Sequence, residues 1–233
     1  ASLRLFFLRE TLPKRKTDSK EKEHSEHWRG FKTEYLDALK FIFRSAPLLL
    51  LLHIVFDFAS YGCFPFFIVF AKDFLGLSDG DWWIIFGASQ AVYMVGTMPM
   101  GILTDRVGRK KVLILCTGVF ILSTLLWVMT PPRTWLTMFS AMISYAFIQL
   151  AVAASSSALP AFEADLIPRL KRGNIMATLM LAYGITTAVI TIIGGFMYEK
   201  VAPHFPFLIS IALLLLGFIV MLFRMKEPSK RET

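Results

Sequence analysis

Two side chains that can carry protons lie inside a long apolar stretch of this sequence. His53 and Asp57 are four residues apart and Tyr61 follows after four more, so on a helix the three share one face. A carboxylate at the centre of a bilayer costs at least about 2.5 kcal/mol, and such residues usually serve an ion or proton pathway. Asp57 is therefore a candidate proton or cation site, with His53 as its relay partner. A structural Asp–His pair explains the spacing equally well.

Three further apolar stretches carry polar residues at helical spacing. Their side chains would converge on one side of a helical bundle, where a small solute or an ion could bind. Hydrogen bonding between helices is the alternative in each case, because Tyr, Gln and Thr often join membrane helices. These candidate substrate- or ion-binding residues are Gln90, Tyr93, Tyr145, Gln149, Tyr183 and Thr187.

The elements that would position these residues are membrane-spanning helices. Hydrophobic residues make up 55% of the 233 residues and charged residues only 18%, with a mean hydropathy of +0.58. That is too little charge to cover a soluble domain of this length. About 20 apolar residues cross a bilayer as a helix. Six segments qualify, and they predict an all-α membrane bundle over 45–225: 46–71, 80–104, 111–130, 134–158, 174–198 and 205–224.

The distribution of charge predicts the orientation. Of the 25 Lys and Arg residues, 22 lie in 1–44, 105–111, 169–172 and 224–231, and only Lys72, Arg133 and Lys200 lie in the other loops. Basic loops stay in the cytoplasm, so a multi-pass protein with both chain ends cytoplasmic is predicted. Four tryptophans at the opposite ends of the spans, Trp82, Trp83, Trp127 and Trp135, are expected to form an interfacial belt.

The segments outside the bundle are expected to be cytoplasmic or incomplete. Residues 1–9 have the pattern of the end of a preceding transmembrane helix, which suggests a fragment. Residues 10–44 are expected to form a linker whose part at about 28–44 is an amphipathic helix, or else extends the first span. Residues 226–233 are expected to be a cytoplasmic tail.

A tight, basic turn connects the second and third predicted spans. Its first glycine would let helices approach closely, and its second permits the positive φ of a short connection. Its aspartate could cap a helix or pair with one of the two arginines. The defined positions are Gly101, Asp105, Arg106, Gly108, Arg109 and Lys110.

This turn resembles the signature loop of the major facilitator superfamily, G-x-x-x-D-R-x-G-R-K, at every defined position. The charges between Pro160 and Gly173 resemble the loop between that family's helices 10 and 11. The opening FFLRETLP and the closing MKEP resemble the exit of helix 6 and the C-terminus. The resemblance implies the C-terminal half of the fold: the end of helix 6, the central loop and helices 7–12.

The implied function is secondary active transport of a small solute by alternating access, with protons as a candidate coupling ion. The implied partners are membrane lipids, the solute and the missing N-terminal six-helix half, against which Asp105 and Arg109 would stabilise one conformation. A half-size transporter or membrane binding protein acting as a homodimer is the alternative. A polytopic membrane enzyme that uses His53 and Asp57 is a weaker one.

Other classes of function find little support. The four histidines lack metal-ligand spacing, and the sequence predicts no catalytic set, metal site or cofactor. There is no phosphate-binding P-loop, which argues against transport driven by ATP. The net charge of +8 lies in loops next to apolar spans, so binding to nucleic acid is not predicted.

Overall fold

The chain folds into helices throughout the part that the structure describes. This computed structural model describes residue 40 and residues 55–56, 62–167 and 172–225. In these ranges there is no strand, and the all-α prediction is confirmed. The linker, residues 1–9 and the tail fall almost wholly outside them. The helices are α1 (Phe64–Asp73), α2 (Asp79–Val107), α3 (Arg109–Val128), α4 (Thr137–Leu166), α5 (Arg172–Lys200) and α6 (Phe205–Arg224).

Four of these helices, α3, α4, α5 and α6, are long and apolar enough to cross a membrane. Helix α2 is as long as α5, but its polar side chains lower its mean hydropathy. The first predicted span is described only at 55–56 and 62–71, so its full length stays a prediction. Helix α4 continues through Pro160 to Leu166, beyond the predicted end at residue 158. The apolar pattern predicts only the part of a helix that lies inside a membrane. The backbone hydrogen bonds of α4 continue past that part, so the helix is longer than its apolar stretch.

Helix α4 is the centre of the bundle and packs against both α2 and α3. Its buried surface is rich in small residues: Ala141, Ser144, Ala151, Ala153, Ala154 and Ala158. On α2, a Cβ added at Gly96 would lie only 2.9 Å from Leu150 Cδ1 of α4. Small side chains let membrane helices approach until their backbones are in van der Waals contact. The alanines of α4 and Gly96 therefore set the distance between these helices.

A cluster of aromatic rings joins the helices at one end of the bundle. The ring centroid of Phe67 in α1 lies 5.1 Å from those of Trp127 and Tyr145 and 5.0 Å from that of Phe207. These contacts connect α1 to α3, α4 and α6. Edge-to-face pairs of this kind add about 0.5–1.5 kcal/mol each beyond the area they bury.

The predicted tryptophan belt is only half correct. Trp83 and Trp135 are exposed, as a belt requires, but Trp82 is buried and Trp127 has no exposed surface. Both buried rings belong to the aromatic cluster. Position along a span sets the depth of a tryptophan in the membrane. The rotation of the helix then decides whether it meets lipid or a neighbouring helix.

The loops divide between the two ends of the bundle as the charge pattern predicts. At one end, Arg133 N donates to Leu75 O at 3.1 Å, and the ring of His204 lies 4.4 Å from that of Phe74. At the other, Lys110 Nζ donates to Leu222 O at 3.3 Å. We call this second end, where α2, α4 and α6 finish and α3 and α5 begin, the basic end. That it faces the cytoplasm stays a prediction.

Replacing Gly96 with leucine should destabilise the bundle, because the larger side chain would collide with Leu150 and push α2 away from α4. We expect a loss of about 1–3 kcal/mol. Gly87 on the same helix is the matched control, since a Cβ there meets nothing within 4 Å. Thermal unfolding in detergent, followed by near-UV circular dichroism, would compare G96L with G87L. Equal tolerance of both substitutions would contradict the close approach of α2 and α4.

Candidate functional site

The two glutamine candidates form one hydrogen-bonded pair between α2 and α4. Gln149 Nε2 donates to Gln90 Oε1. The side chain of Gln149 is only 5% exposed, whereas Gln90 is exposed. An amide group carries two N–H donors and a carbonyl oxygen, so Gln90 keeps both of its own donors for a further partner. The pair therefore presents hydrogen-bonding groups on the open side of α2.

The surface around Gln90 is mainly apolar. Met94, Val95 and Met98, which follow Gln90 along α2, are among the most exposed side chains of the structure. Tyr93 is half-buried beside them. Thr97 Oγ1 donates to the Tyr93 carbonyl at 2.7 Å, so its hydroxyl serves its own helix. A few polar groups on a flexible apolar surface suit a solute that has both polar and apolar groups.

Helix α5 carries the next two candidates, Tyr183 and Thr187, both half-buried. Two neighbouring hydroxyls donate to carbonyls one turn earlier: Thr186 to Ala182 O and Thr191 to Thr187 O. The helix packs against α6 and against α1, where Gly194 lies close to the Gly62 carbonyl and to Phe66. Much of α5 is exposed, so Tyr183 and Thr187 lie on a helix with an open face.

Tyr145 does not lie on an open face. Its side chain is 1% exposed, and its ring packs against those of Phe64, Phe67 and Trp82. Tyr145 and Gln149 are four residues apart and share one face of α4. The aromatic cluster covers this face at Tyr145, whereas one turn later Gln149 is buried against α2 and donates to Gln90. As the structure places it, the Tyr145 ring is a packing residue.

Three candidates of the first predicted span, His53, Asp57 and Tyr61, lie outside the described residues. Their predicted roles therefore stay predictions.

Two buried polar residues are not among the candidates that the sequence predicts. Ser89 is fully buried and its hydroxyl has no hydrogen-bond partner among the described residues. Glu163 is buried because α4 continues past the predicted end of the span, which had placed this carboxylate in a loop.

The signature loop lies at the basic end of the bundle, where it connects α2 to α3 and contacts α4 and α6. Gly108 has φ of 105°, as predicted for so short a connection, and is the residue between α2 and α3. Arg109 Nη1 donates to Ala161 O at 2.6 Å and forms an ion pair with Asp165. Lys110 reaches the Leu222 carbonyl of α6. Both cations lie near the C-terminal ends of helices, where a positive charge offsets the negative end of the helix dipole.

The roles predicted for Asp105 are wrong within this chain. It does not cap α3, whose N-cap is Gly108 without a side-chain hydrogen bond, and Arg109 pairs with Asp165 instead. Asp105 and Arg106 are both exposed, and neither has an ion pair in the part of the chain that is described. A Cβ built at Gly101 meets no atom within 4 Å. These three residues thus face away from the six helices.

Sequence comparison agrees with this arrangement of helices. The sequence profile of the Major Facilitator Superfamily matches residues 55–233. The chain belongs to the Major Facilitator Superfamily. An uncharacterized MFS-type transporter of Methanocaldococcus jannaschii is 23% identical to it over 185 residues, which cover 77% of the chain and 45% of that relative. The chain therefore spans less than half the length of this relative.

Membership confirms the resemblance seen in the signature loop. The six helices are consistent with half of a Major Facilitator fold, and the chain is an integral membrane protein of a transport family. Within this Major Facilitator half, the open side chains of α2 and α5 are the candidate site. The signature loop is a separate feature at the basic end.

Replacing Arg109 with glutamine should destabilise this Major Facilitator half, because α4 would lose a charged hydrogen bond and an ion pair at its C-terminus. We expect a loss of about 1–3 kcal/mol. Arg106, three residues earlier and exposed, is the control, and R106Q should change stability by less than about 0.5 kcal/mol. D165N should fall between them, since the bond from Arg109 to Ala161 remains. Thermal unfolding of the three variants would rank them, and equal effects of R109Q and R106Q would refute the assignment.

Proposed function

We propose that the intact protein is a secondary active transporter and that this chain supplies one of its two six-helix halves. The observation that carries the proposal is the Gln90–Gln149 pair on the open side of the bundle. Both residues lie near the middle of their helices, which corresponds to the depth where two-half transporters bind their solutes. Family membership supports transport rather than catalysis.

The chemistry of the open face suggests the kind of solute. Gln90 offers two N–H donors, which suit a carbonyl, ether or other hydrogen-bond acceptor. Exposed methionines next to it offer a polarizable surface that adapts to different shapes. We infer a small solute with an acceptor group and an apolar part.

Alternating access would move this half as one body against the other. The aromatic cluster connects five helices at one end, and Arg109 and Lys110 connect α4 and α6 to α3 at the other. Asp105 and Arg106 lie at the basic end with no ion pair in the described ranges. In the proposed mechanism, Asp105 contacts the second half in one of the two conformations.

A homodimer of this chain is the alternative arrangement. Met94 and Met98 on α2, and Ile185 and Ile192 on α5, are large apolar side chains with most or much of their surface exposed. A second copy would cover them as a second half would. Disulfide cross-linking of cysteines placed at Met98 or Ile185 would capture a specific dimer in membranes. Its absence, with solute transport by the longer protein, would favour the two-half arrangement.

Replacing Gln149 with leucine should weaken solute binding about tenfold, because Gln90 loses the partner that orients it and one hydrogen bond is worth about 1–1.5 kcal/mol. A thermal-shift screen of small solutes on the full-length protein would identify stabilising compounds first. Their dissociation constants would then be measured for wild type and Q149L. The control is S156A on the same helix, since Ser156 donates to the Ala153 carbonyl of its own helix. Equal affinity in Q149L and wild type would contradict the proposed site.

Coupling to protons would depend on Asp57. If a carboxylate in the first span carries the proton, D57N should abolish the pH dependence of solute accumulation while leaving solute exchange at equal concentrations intact. Proteoliposomes with an imposed pH gradient measure both quantities. Accumulation by D57N that still follows the gradient would remove Asp57 from the proton pathway and leave the solute site untouched.

A further inference from the structure

We propose that the seam between α3 and α6 binds the headgroup and one acyl chain of an anionic phospholipid at the basic end. The proposal rests on the position of the chain in a membrane and does not depend on the transport proposal. The bound lipid belongs to the leaflet that this end faces.

The seam has a polar end formed by two lysines. Lys110 Nζ lies 3.3 Å from the Leu222 carbonyl, which places its ammonium group between the start of α3 and the end of α6. Lys111 is the next residue and is exposed. Neither lysine forms an ion pair with an acidic side chain among the residues that the structure describes. Arg224, the last residue of α6, is a third cation; it is exposed and lies beyond Leu222. Within the described ranges the two lysines therefore have no acidic partner, and a lipid phosphate would supply the counter-ion.

The seam continues from the lysines as an apolar groove. Lys111, Leu115, Gly118 and Leu122 follow one another at spacings of three to four residues, so they share one face of α3. Its floor is the contact between Gly118 and Phe218, where a Cβ at Gly118 would lie 3.7 Å from Phe218 Cε2. The residues along its sides are exposed, and they are Leu115 and Leu122 on α3 and Leu215, Ile219 and Leu222 on α6.

The charge and the groove together favour an anionic lipid. Basic residues at a membrane surface attract anionic lipids with about 1 kcal/mol per Lys or Arg, whereas a zwitterionic headgroup adds its own cation and gains less. The exposed apolar side chains of α3 and α6 on either side of the Gly118–Phe218 contact offer a surface for one acyl chain along the seam. A free phosphate ion would use the lysines only, and the groove would contribute nothing to its binding.

The test is native mass spectrometry of the purified chain in detergent, titrated with phosphatidylglycerol or with phosphatidylcholine of the same acyl chains. We expect wild type to bind phosphatidylglycerol more tightly. The double variant K110Q/K111Q should lose roughly thirtyfold in affinity for phosphatidylglycerol and much less for phosphatidylcholine. The control R106Q removes one cation from the same end of the bundle but from α2, and it should bind as wild type does.

Two further measurements decide the source of the effect. The variant K110R/K111R keeps both charges and should retain the preference for phosphatidylglycerol, which separates charge from any effect on folding. Glycerol 3-phosphate in millimolar excess should not displace the bound lipid. Unchanged affinity of K110Q/K111Q, an equal loss in R106Q, or displacement by glycerol 3-phosphate would each overturn the proposal.

Discussion

In a bilayer, an apolar side chain gains little by leaving lipid for a neighbouring helix, so α4 has to be held by close contact. Its alanines and Gly96 of α2 permit that contact. The bundle depends on this packing, because α2 and α3 are both fixed against α4. Once α2 and α4 are this close, Gln90 and Gln149 come within hydrogen-bonding distance. The same contact that gives the bundle its stability therefore builds the candidate site.

The sequence predicted the helices well because each depends on a local pattern. Apolar length gave most helix ends to within a few residues, and Gly108 was recognised because a short turn between two helices requires positive φ. The sequence was less able to predict the rotation of each helix about its own axis, which decides which side chains are buried. Trp82 and Trp83 are neighbours at the same depth, yet one is buried and the other exposed. Rotation depends on which helix packs alongside, and this information is not local.

The prediction of the site was limited for the same reason, because its contacts join residues that are far apart in the sequence. The spacing on α2 identified Gln90, and the spacing on α4 identified Gln149, but neither pattern could pair them. Arg109 was one of two possible partners of Asp105 in its loop, whereas it binds Ala161 and Asp165 near the end of α4. Its predicted role against the other half stays a prediction. The signature loop, residues 101–110, contains one acidic residue, Asp105. The folded bundle offers, in addition, the carbonyls and the negative dipole at the C-terminal end of each helix, which stabilise a cation by about 0.3–1 kcal/mol.

The signature loop separates two tasks among adjacent residues. Arg109 and Lys110 bind helix ends of their own half, and each keeps further N–H donors beside those bonds. Asp105 and Arg106 have no such bond in the described residues and lie exposed at the end of α2. A conformational change that moves the half as a rigid body requires both features. Contacts inside the half must persist, whereas contacts across the halves must break and re-form. If the intact protein works by the proposed alternating access, Arg109 and Lys110 supply the lasting contacts and Asp105 and Arg106 are available for the changing ones.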